Sequence, residues 1–298
     1  MSALALLVAV LLPAQFESGR AFAVPVSAVA HDRLVLWIDS DGSGFLTQAA
    51  VRRLRLATRA KMYGPHGTFA RLPAFERSAW IPKPRAFAGD LRVIAPDASD
   101  PIFAGLDGQL GASWLQDRIW LFDYPAGQLQ LLSFLPQHPD SMVIRLLFEH
   151  DDRGRKIDGR EYPALNLVVD GRSLRAAFDT AATVALRPAV AASLRDGWAD
   201  VRATSFVTQA LAARWHAAHP GWRFVHEASV AQGVDLINVP EVDAGPVRFR
   251  NVWFSTRPGD DVFEGEAVSV KLGPSAFGKE RVILDYIDEQ AIIMPAAS

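Results

Sequence analysis

Hydrophobic and polar positions alternate along the chain in short runs that end at turn residues. The clearest case is residues 164–178, ALNLVV-DG-RSLRAAF, where two such runs flank an Asp-Gly dipeptide. Asp-Gly in this setting is the strongest short-range signal for a β-hairpin. Residues 24–38, VPVSAV-AHD-RLVLWI, have a similar pattern and predict a second hairpin. Many short strands of this kind predict a mostly-β protein.

Helical periodicity is confined to a few short segments. It appears in TQAAVRRLRL at residues 47–56, in RPAVAASLRD at residues 187–196 and in SFVTQALAARWHAAH at residues 205–219. The first two segments each follow a strand-like run that ends in an aspartate. The sequence therefore predicts a few short helices among the strands.

A motif at the end of each predicted hairpin occurs twice. Ile38-Asp39-Ser40 matches Phe178-Asp179-Thr180, 140 residues later, and a run rich in Leu, Ala and Val follows both copies. Recurrence of this kind indicates internal duplication.

A second motif repeats in the same order, which makes chance similarity of common turns a poor explanation. Leu110-Gly111 matches Leu272-Gly273, and an Asp-Tyr pair follows each glycine after twelve residues. The offset is now 162, so the second half carries an insertion between its two motifs.

The segment between the two halves has the composition of a linker. It reads SFLPQHPDSM, residues 133–142, and holds two prolines among polar residues. We place the boundary near Asp140, with an N-terminal lobe over residues 15–137 and a C-terminal lobe over residues 141–298.

Composition narrows the classes of function. The 298 residues carry 31 basic and 33 acidic side chains, so a nucleic-acid partner has no electrostatic support. Half of the chain is hydrophobic, enough for a sizeable core, and no cysteine is present, which excludes a thiol nucleophile and thiolate metal sites.

The N-terminus reads ALALLVAVLLPAQ, an apolar run with the length of a signal-peptide core and too short to span a bilayer. We therefore predict a signal peptide over residues 1–14 and export to the periplasm or medium, with no stable membrane span. The alternative interpretation is a buried N-terminal segment.

Two similar halves that each present one aspartate after a strand suggest a paired carboxylate site. Two carboxylates held about 3 Å apart cannot both ionise and therefore share one proton. One of them then draws a proton from a water while the other donates a proton to the carbonyl oxygen under attack. The hydroxyls of Ser40 and Thr180 are placed to tie the two turns together.

These duplicated motifs resemble those of bacterial two-lobed, pepsin-like aspartic proteases, and FDTAAT is closer to the retropepsin variant of the motif. The resemblance implies a mostly-β, two-lobed acid-protease fold with a few short helices and a pseudo-two-fold axis. It implies endopeptidase activity on an extended polypeptide, no metal or organic cofactor, and a monomer. The residues it implicates are a catalytic pair, a supporting hydroxyl pair, apolar-glycine pairs behind the turns, and a substrate flap: Asp39, Asp179, Ser40, Thr180, Leu110, Gly111, Leu272, Gly273, Tyr63, Gly64 and Gly67.

Two departures from the family pattern keep a competing function open. Asp41 and Ala181 stand where the family usually has glycine. Asp41 adds a negative charge two residues from the proposed catalytic carboxylate, which either points to solvent, repels the pair or abolishes activity. A non-cleaving domain that binds peptide or protein is therefore the alternative.

A third interpretation is a calcium-binding structural domain. Residues 39–47, DSDGSGFLT, fit most of an EF-hand loop, but position 12 is Ala50 where a glutamate is required. The second copy of the motif has no calcium pattern. His216 and His219 have a spacing that can hold a metal, but no third ligand is near, so we expect them to complement a helix C-terminus and predict no metal site.

Overall fold

A computed structural model describes residues 9–61, 67–85, 89–97, 99–136, 140–157, 162–263 and 267–294. Within these ranges the chain is mostly β, with short strands in four sheets and a few short helices.

The first half forms an open eight-stranded sheet. Its strands, from one edge to the other, are β2 (Ala14–Glu17), β3 (Arg20–Ala23), β4 (Leu36–Ile38), β9 (Gly108–Leu110), β5 (Phe45–Thr47), β8 (Asp90–Ile94), β7 (Gly67–Arg71) and β6 (Thr58–Lys61).

The second half forms a seven-stranded sheet that closes on itself, because Val168 pairs with Asp243 and joins the two ends of a six-stranded ring. The order is β13 (Ala164–Val169), β14 (Arg172–Phe178), β21 (Val270–Leu272), β17 (Ser205–Val207), β20 (Val247–Ser255), β19 (Leu236–Ala244) and the short β18 (Phe224–Val225). A separate pair consists of β15 (Thr183–Ala185) and β16 (Val201–Ala203).

The third large sheet takes strands from both halves. Its order is β1 (Ala9–Leu12), β11 (Gln128–Leu132), β10 (Ile119–Asp123), β22 (Arg281–Asp285), β23 (Gln290–Met294) and β12 (Met142–Arg145). The halves meet where β10 runs antiparallel to β22, with Ile119 opposite Asp285 and Asp123 opposite Arg281. Strands β10 and β22, which end at the repeated Asp-Tyr pairs, are thus neighbours in one sheet. Neither of them is the edge of a separate lobe.

This topology corrects the predicted two-lobed pepsin-like fold. The first half is an open sheet, the second closes as a six-stranded barrel, and a sheet shared by both crosses the expected boundary. One core cluster also runs through both halves, from Leu36 and Ile38 to Val270 and Leu284. The repeated motifs indicated the duplication. They did not indicate that the first sheet stays open, that the second closes, or that a third is shared.

The N-terminal segment is a second correction. Residues Ala9–Leu12, assigned to a signal peptide from sequence, form an edge strand that pairs antiparallel with Leu129–Leu132. Leu12 is buried in the core. The described end of the apolar run is thus part of the sheet, with Leu12 buried and Leu11 63% exposed, which is closer to the alternative interpretation than to a signal peptide. Among the described residues, no helix combines the length and apolarity needed to cross a membrane.

The helices are short and lie mostly where the periodicity placed them. They are α1 (Gln48–Arg53), α2 (Ala112–Leu115), α3 (Pro188–Leu194), α4 (Gln209–Ala218) and α5 (Pro274–Phe277). Thr47 caps α1, because its side chain accepts a hydrogen bond from the amide of Ala50. Helices α2 and α5 follow directly on Gly111 and Gly273, so the two repeats match here as well.

Of the two predicted hairpins, one forms as expected. Strands β13 and β14 pair from Ala164 opposite Ala177 to Val169 opposite Arg172, and both turn residues, Asp170 and Gly171, have positive φ of 52° and 70°. These values suit a type I′ hairpin turn. Residues 24–38 pair only briefly, through an antiparallel bridge between Val26 and Arg33 that is flanked by two backbone hydrogen bonds, and only their last part lies in β4.

Candidate functional site

Each of the repeated aspartates stands at the end of a strand that runs parallel to the strand of its apolar-glycine motif. In the first half β4 pairs with β9, and the amide of Asp39 donates to the carbonyl of Leu110 at 2.9 Å. In the second half β14 pairs with β21, and the amide of Asp179 donates to the carbonyl of Leu272 at 3.0 Å. The sequence repeat is therefore also a repeat of backbone geometry.

The two motif glycines, Gly111 and Gly273, lie where a neighbouring backbone leaves no room for a side chain. A Cβ on Gly111 would lie 2.2 Å from the carbonyl oxygen of Gly42, and one on Gly273 would lie 2.0 Å from that of Thr204. Neither glycine has a positive φ. Glycine at these positions allows the backbone of Gly111 to pack against Gly42 and that of Gly273 to pack against Thr204.

The two turns are joined by a reciprocal hydroxyl network. Ser40 Oγ accepts from the amide of Thr180 at 3.0 Å, and Thr180 Oγ1 accepts from the amide of Ser40 at 3.0 Å. Each hydroxyl donates in turn to the opposite strand, Ser40 to the carbonyl of Phe178 at 2.5 Å and Thr180 to that of Ile38 at 2.9 Å. Both side chains are buried. Four hydrogen bonds thus fix the position of one turn relative to the other.

Each carboxylate is held by its own turn through one oxygen. Asp39 Oδ1 accepts from the amide of Asp41 at 2.9 Å, and Asp179 Oδ1 accepts from the amide of Ala181 at 2.8 Å. A Cβ on Gly42 would lie 2.0 Å from Asp39 Oδ2, so a side chain at that position would displace the carboxylate.

Both aspartates line one cavity of about 220 Å³. Its lining combines six apolar side chains, six charged side chains and one threonine. The lining comprises Trp37, Asp39, Asp41, Asp100, Ile102, Phe103, Asp179, Ala181, Thr183, Phe206, Arg257, Val262 and Lys271. Side chains from both halves contribute, so the cavity exists only in the assembled molecule.

Behind the second turn lies the buried phenol of Tyr124. Its pKa is raised above the ordinary value of 10.0, first because the ring is buried and second because the charge of Asp179 opposes ionisation. The Tyr124 ring packs edge-on against Phe277, which stacks on Phe178 at 4.6 Å. This aromatic packing supports the strand that carries Asp179.

The role of Asp41 differs from all those considered from sequence. Its carboxylate turns into the cavity and contacts the ammonium of Lys271, with Asp41 Oδ2 2.7 Å from Lys271 Nζ. Only 5% of the Asp41 side chain and 7% of the Lys271 side chain are exposed. Sequence reasoning missed Lys271, although a lysine within the apolar strand before Leu272-Gly273 was a visible signal.

The proposed flap is only partly within the described residues. Tyr63 and Gly64 lie outside them. Gly67 begins β7 and pairs with Lys61 of β6, so the described strands on either side of the proposed flap tip run antiparallel to each other.

The calcium interpretation gains nothing from this geometry. Residues before Asp39 form a strand where an EF-hand has a helix, and the Asp41 carboxylate is paired with a lysine. His219 Nε2 lies 2.9 Å from Asp170 Oδ2, and the ring stacks on Trp222 at 4.2 Å, just past the end of α4. In the part of the chain that the structure describes, no group of three or more His, Asp or Glu side chains has the arrangement of a metal site.

A larger cavity, about 420 Å³, lies within the second half. None of the repeated motif aspartates lines it, and its buried arginine, Arg202, is already paired with Asp196 at 2.7 Å. The convergent carboxylates are in the smaller cavity, which we take as the candidate site.

Comparison with known proteins gives fold neighbours only. No family profile and no curated protein matches the chain. Similar solved structures include basic 7S globulin from soybean, with a TM-score of 0.51, 8% identity and coverage of 97% of both chains. Conglutin gamma, a basic 7S globulin from lupine seeds, has a TM-score of 0.51 and 9% identity, covering 97% of this chain and 95% of its own.

These findings correct the family assignment made from sequence. The neighbours are plant 7S globulins, not bacterial pepsin-like or retropepsin-like aspartic proteases. The motifs that carried the resemblance are only a few residues long, and a strand ending in Asp-Ser or Asp-Thr does not define a family. At such low identity the neighbours show the fold alone, so the function must be argued from the site.

Proposed function

We propose that this protein is an endopeptidase that hydrolyses peptide bonds with a water activated between Asp39 and Asp179. The observation that carries the proposal is the reciprocal hydrogen bonding of Ser40 and Thr180, which holds the two aspartate turns against each other beside one cavity. Such rigid support is what an acid–base pair needs for its groups to stay aligned.

The proposed reaction uses the pair with one proton shared between the two carboxylates. The ionised carboxylate takes a proton from water as the hydroxide oxygen bonds to the peptide carbonyl carbon. The protonated carboxyl gives its proton to the carbonyl oxygen, which produces a neutral tetrahedral diol. Transfer of a proton to the amide nitrogen then accompanies cleavage of the C–N bond. The step uses neither a metal nor an organic cofactor.

The cavity walls support a preference for apolar side chains next to the cleaved bond. Trp37 and Phe103 line the first-half side, and Phe206 and Val262 line the second-half side. Burial of aromatic surface is the main favourable term for such a pocket. We propose that the substrate is a polypeptide in extended conformation bound by a monomer.

The proposal is tested by hydrolysis of a set of peptides with phenylalanine or leucine at the central pair, followed by mass spectrometry from pH 3 to 7. We expect Asp39→Asn and Asp179→Asn to lower kcat by about a thousandfold each, because acid–base groups typically contribute two to four orders of magnitude. Asp100→Asn is the matched control: Asp100 lines the same cavity, but its Oδ1 accepts from the amide of Ile102 at 2.9 Å, a role that asparagine keeps. Equal hydrolysis by wild type and Asp179→Asn would overturn the mechanism.

One observation favours a second function, non-catalytic binding of extended peptide. The buried Lys271–Asp41 pair occupies part of the cavity beside the aspartates. If the same peptides bind with micromolar affinity, measured by calorimetry, and none is cleaved by wild type at any pH tested, the binding function replaces the hydrolytic one. Calcium titrated in the same instrument gives no heat under either function.

A further inference from the structure

Lys271 and Gln109 hold equivalent positions in the two repeats. Gln109 lies opposite Trp37 in the pairing of β4 with β9, and Lys271 lies opposite Ala177 in the pairing of β14 with β21. Gln109 Nε2 donates to the carbonyl of Ser43 at 3.0 Å, within its own half. Lys271 instead reaches across to the first half. The two repeats therefore differ at this position, where the neutral amide of the first half is replaced by a cation in the second.

The ion pair formed by Lys271 is almost fully removed from water. Its partner Asp41 belongs to the first-half turn, and both side chains are at least nine-tenths buried and line the cavity of the two aspartates. The Lys271 ammonium also lies 5.8 Å from the centre of the Phe263 ring, which is itself buried. Buried ion pairs are costly to desolvate and often contribute nothing to stability. Stability therefore does not explain why the Lys271–Asp41 pair lies in the same cavity as Asp39 and Asp179.

The other charged groups around the cavity are already engaged. Asp100 accepts from the amide of Ile102, and Arg257 lies 3.5 Å from Asp261 at a more exposed edge. The phenol of Tyr124, behind Asp179, is neutral at acid and neutral pH, as an ordinary phenol is, and burial raises its pKa further. Among the described residues that line the cavity around the aspartate pair, Asp41 and Lys271 form a charge pair that is buried more deeply than Arg257 and therefore less screened by water.

We propose that Lys271 is a positioning residue of the site, which neutralises Asp41 across the two halves so that the pair of Asp39 and Asp179 can hold one shared proton. This inference rests on the proposed function. A third carboxylate in the same cavity would otherwise repel negative charge on the pair and drive it to the doubly protonated, inactive form. With Lys271 in place, Asp41 is tolerated at a position where its charge would oppose catalysis.

The proposal predicts displacements of opposite sign in two single variants. Lys271→Met leaves the negative charge of Asp41 uncompensated, so both limbs of the pH–rate profile move to higher pH, by about one unit or more. Asp41→Asn leaves the positive charge of Lys271 uncompensated, so both limbs move to lower pH by a similar amount. The double variant Asp41→Asn with Lys271→Met removes both charges, and its profile returns to within about half a unit of wild type.

The experiment measures kcat/KM against pH for the four proteins and, in parallel, the proton uptake of aspartate carboxyl groups by ¹³C NMR. The NMR titration needs no turnover, so it decides the role of Lys271 even if wild type cleaves no peptide and the proposed function fails. Lys271→Arg keeps the charge and is expected to titrate like wild type. If Lys271→Met does not fold, Asp41→Asn and Lys271→Arg still carry the test. Titrations of Asp41→Asn that coincide with wild type, or a double variant as displaced as a single one, would overturn the proposal.

Discussion

At the residue scale, two buried hydroxyls join the two aspartate turns of the site. Ser40 and Thr180 each accept from the other's amide and donate to the other's strand. A hydroxyl in this position cannot be replaced by water, because both residues are at most 1% exposed. The pair therefore couples stability to the alignment of the two aspartates.

We expect Thr180→Val to lower the free energy of unfolding by about 2–6 kcal/mol. The substitution keeps the shape but leaves the amide of Ser40 and the carbonyl of Ile38 buried without their partner, at about 1–3 kcal/mol each. Thr183→Val is the control. Thr183 is a buried threonine three residues away whose Oγ1 has no hydrogen-bond partner among the described residues. Urea denaturation measures both variants, and a similar change in the two would contradict the role given to the hydroxyl network.

A second prediction at this scale concerns alkaline pH. Burial and the charge of Asp179 raise the pKa of Tyr124 above 10.0, so the unfolded chain loses this proton first. The contribution to stability is fully present below about pH 10 and is lost as the pH rises above that value. Tyr124→Phe lacks this loss, so its free energy of unfolding should fall less between pH 9 and 11 than that of wild type. Parallel pH dependences in the two proteins would show that Tyr124 ionises equally in both states.

The sequence was informative about residues whose signal is local. The repeated aspartates and hydroxyls stood out because two ordered motifs recurred, and the structure places them side by side; their catalytic role stays a prediction. Lys271 could not be assigned in the same way, since its partner Asp41 is far away in the chain and only the pairing of the two halves brings them together. For the same reason Asp41 was considered only as an unpaired charge.

At the element scale, the turn after Asp179 is packed tightly against the backbone around Gly273 and Thr204. A Cβ at Gly273 would lie 2.0 Å from the carbonyl oxygen of Thr204 and 2.7 Å from Ala182. The Thr204 carbonyl belongs to the backbone, so it cannot move aside as the end of a flexible side chain would. Strand β21 and the turn after Asp179 are thus fixed relative to each other.

We expect Gly273→Ala to destabilise the protein by about 1–3 kcal/mol, the range typical of an overpacked interior. Gly221→Ala is the matched control, because nothing lies within 4 Å of its added Cβ and its φ is not positive. That change should stay within about 0.5 kcal/mol of wild type. Thermal unfolding followed by circular dichroism distinguishes the two. A Gly273→Ala protein as stable as Gly221→Ala would show that β21 shifts freely.

Element prediction succeeded where several local signals agreed. The segment at residues 187–196 has a proline at the first helical position and Ala-rich periodicity, and it forms α3. The N-terminal apolar run was misassigned because a signal-peptide core and a half-buried edge strand have the same local pattern. Only the partner strand Gln128–Leu132, more than a hundred residues away, distinguishes them.

At the scale of the whole molecule, the halves are joined by a shared sheet and a continuous core. Strand β10 of the first half pairs along its length with β22 of the second, and one cluster of buried residues extends through both. A cavity lined from both halves is therefore held by the same packing that stabilises the fold. Sequence repeats alone do not contain this information, which explains why two separate lobes were expected.

We expect unfolding in urea to be a single cooperative transition. Leu284→Ala removes a fully buried side chain of β22 opposite Trp120, so it should cost about 2–5 kcal/mol and move the whole transition. Far-ultraviolet circular dichroism and tryptophan fluorescence should give the same midpoint before and after the change, since tryptophans occur in both halves. Two transitions, of which only one moves, would show that the halves unfold independently.

The central claim, that Asp39 and Asp179 act together on a tetrahedral intermediate, is tested most directly by calorimetry on the purified protein with two matched peptides. One peptide replaces the cleaved amide by a carbon bearing a hydroxyl group, and the other has a methylene at the same position. Wild type should bind the hydroxyl peptide about a hundredfold more tightly or better, because its hydroxyl occupies the place of the attacking water, whereas Asp179→Asn should bind both alike. Equal affinities for the two peptides in wild type would contradict the account and leave a cavity that binds peptide without acting on it.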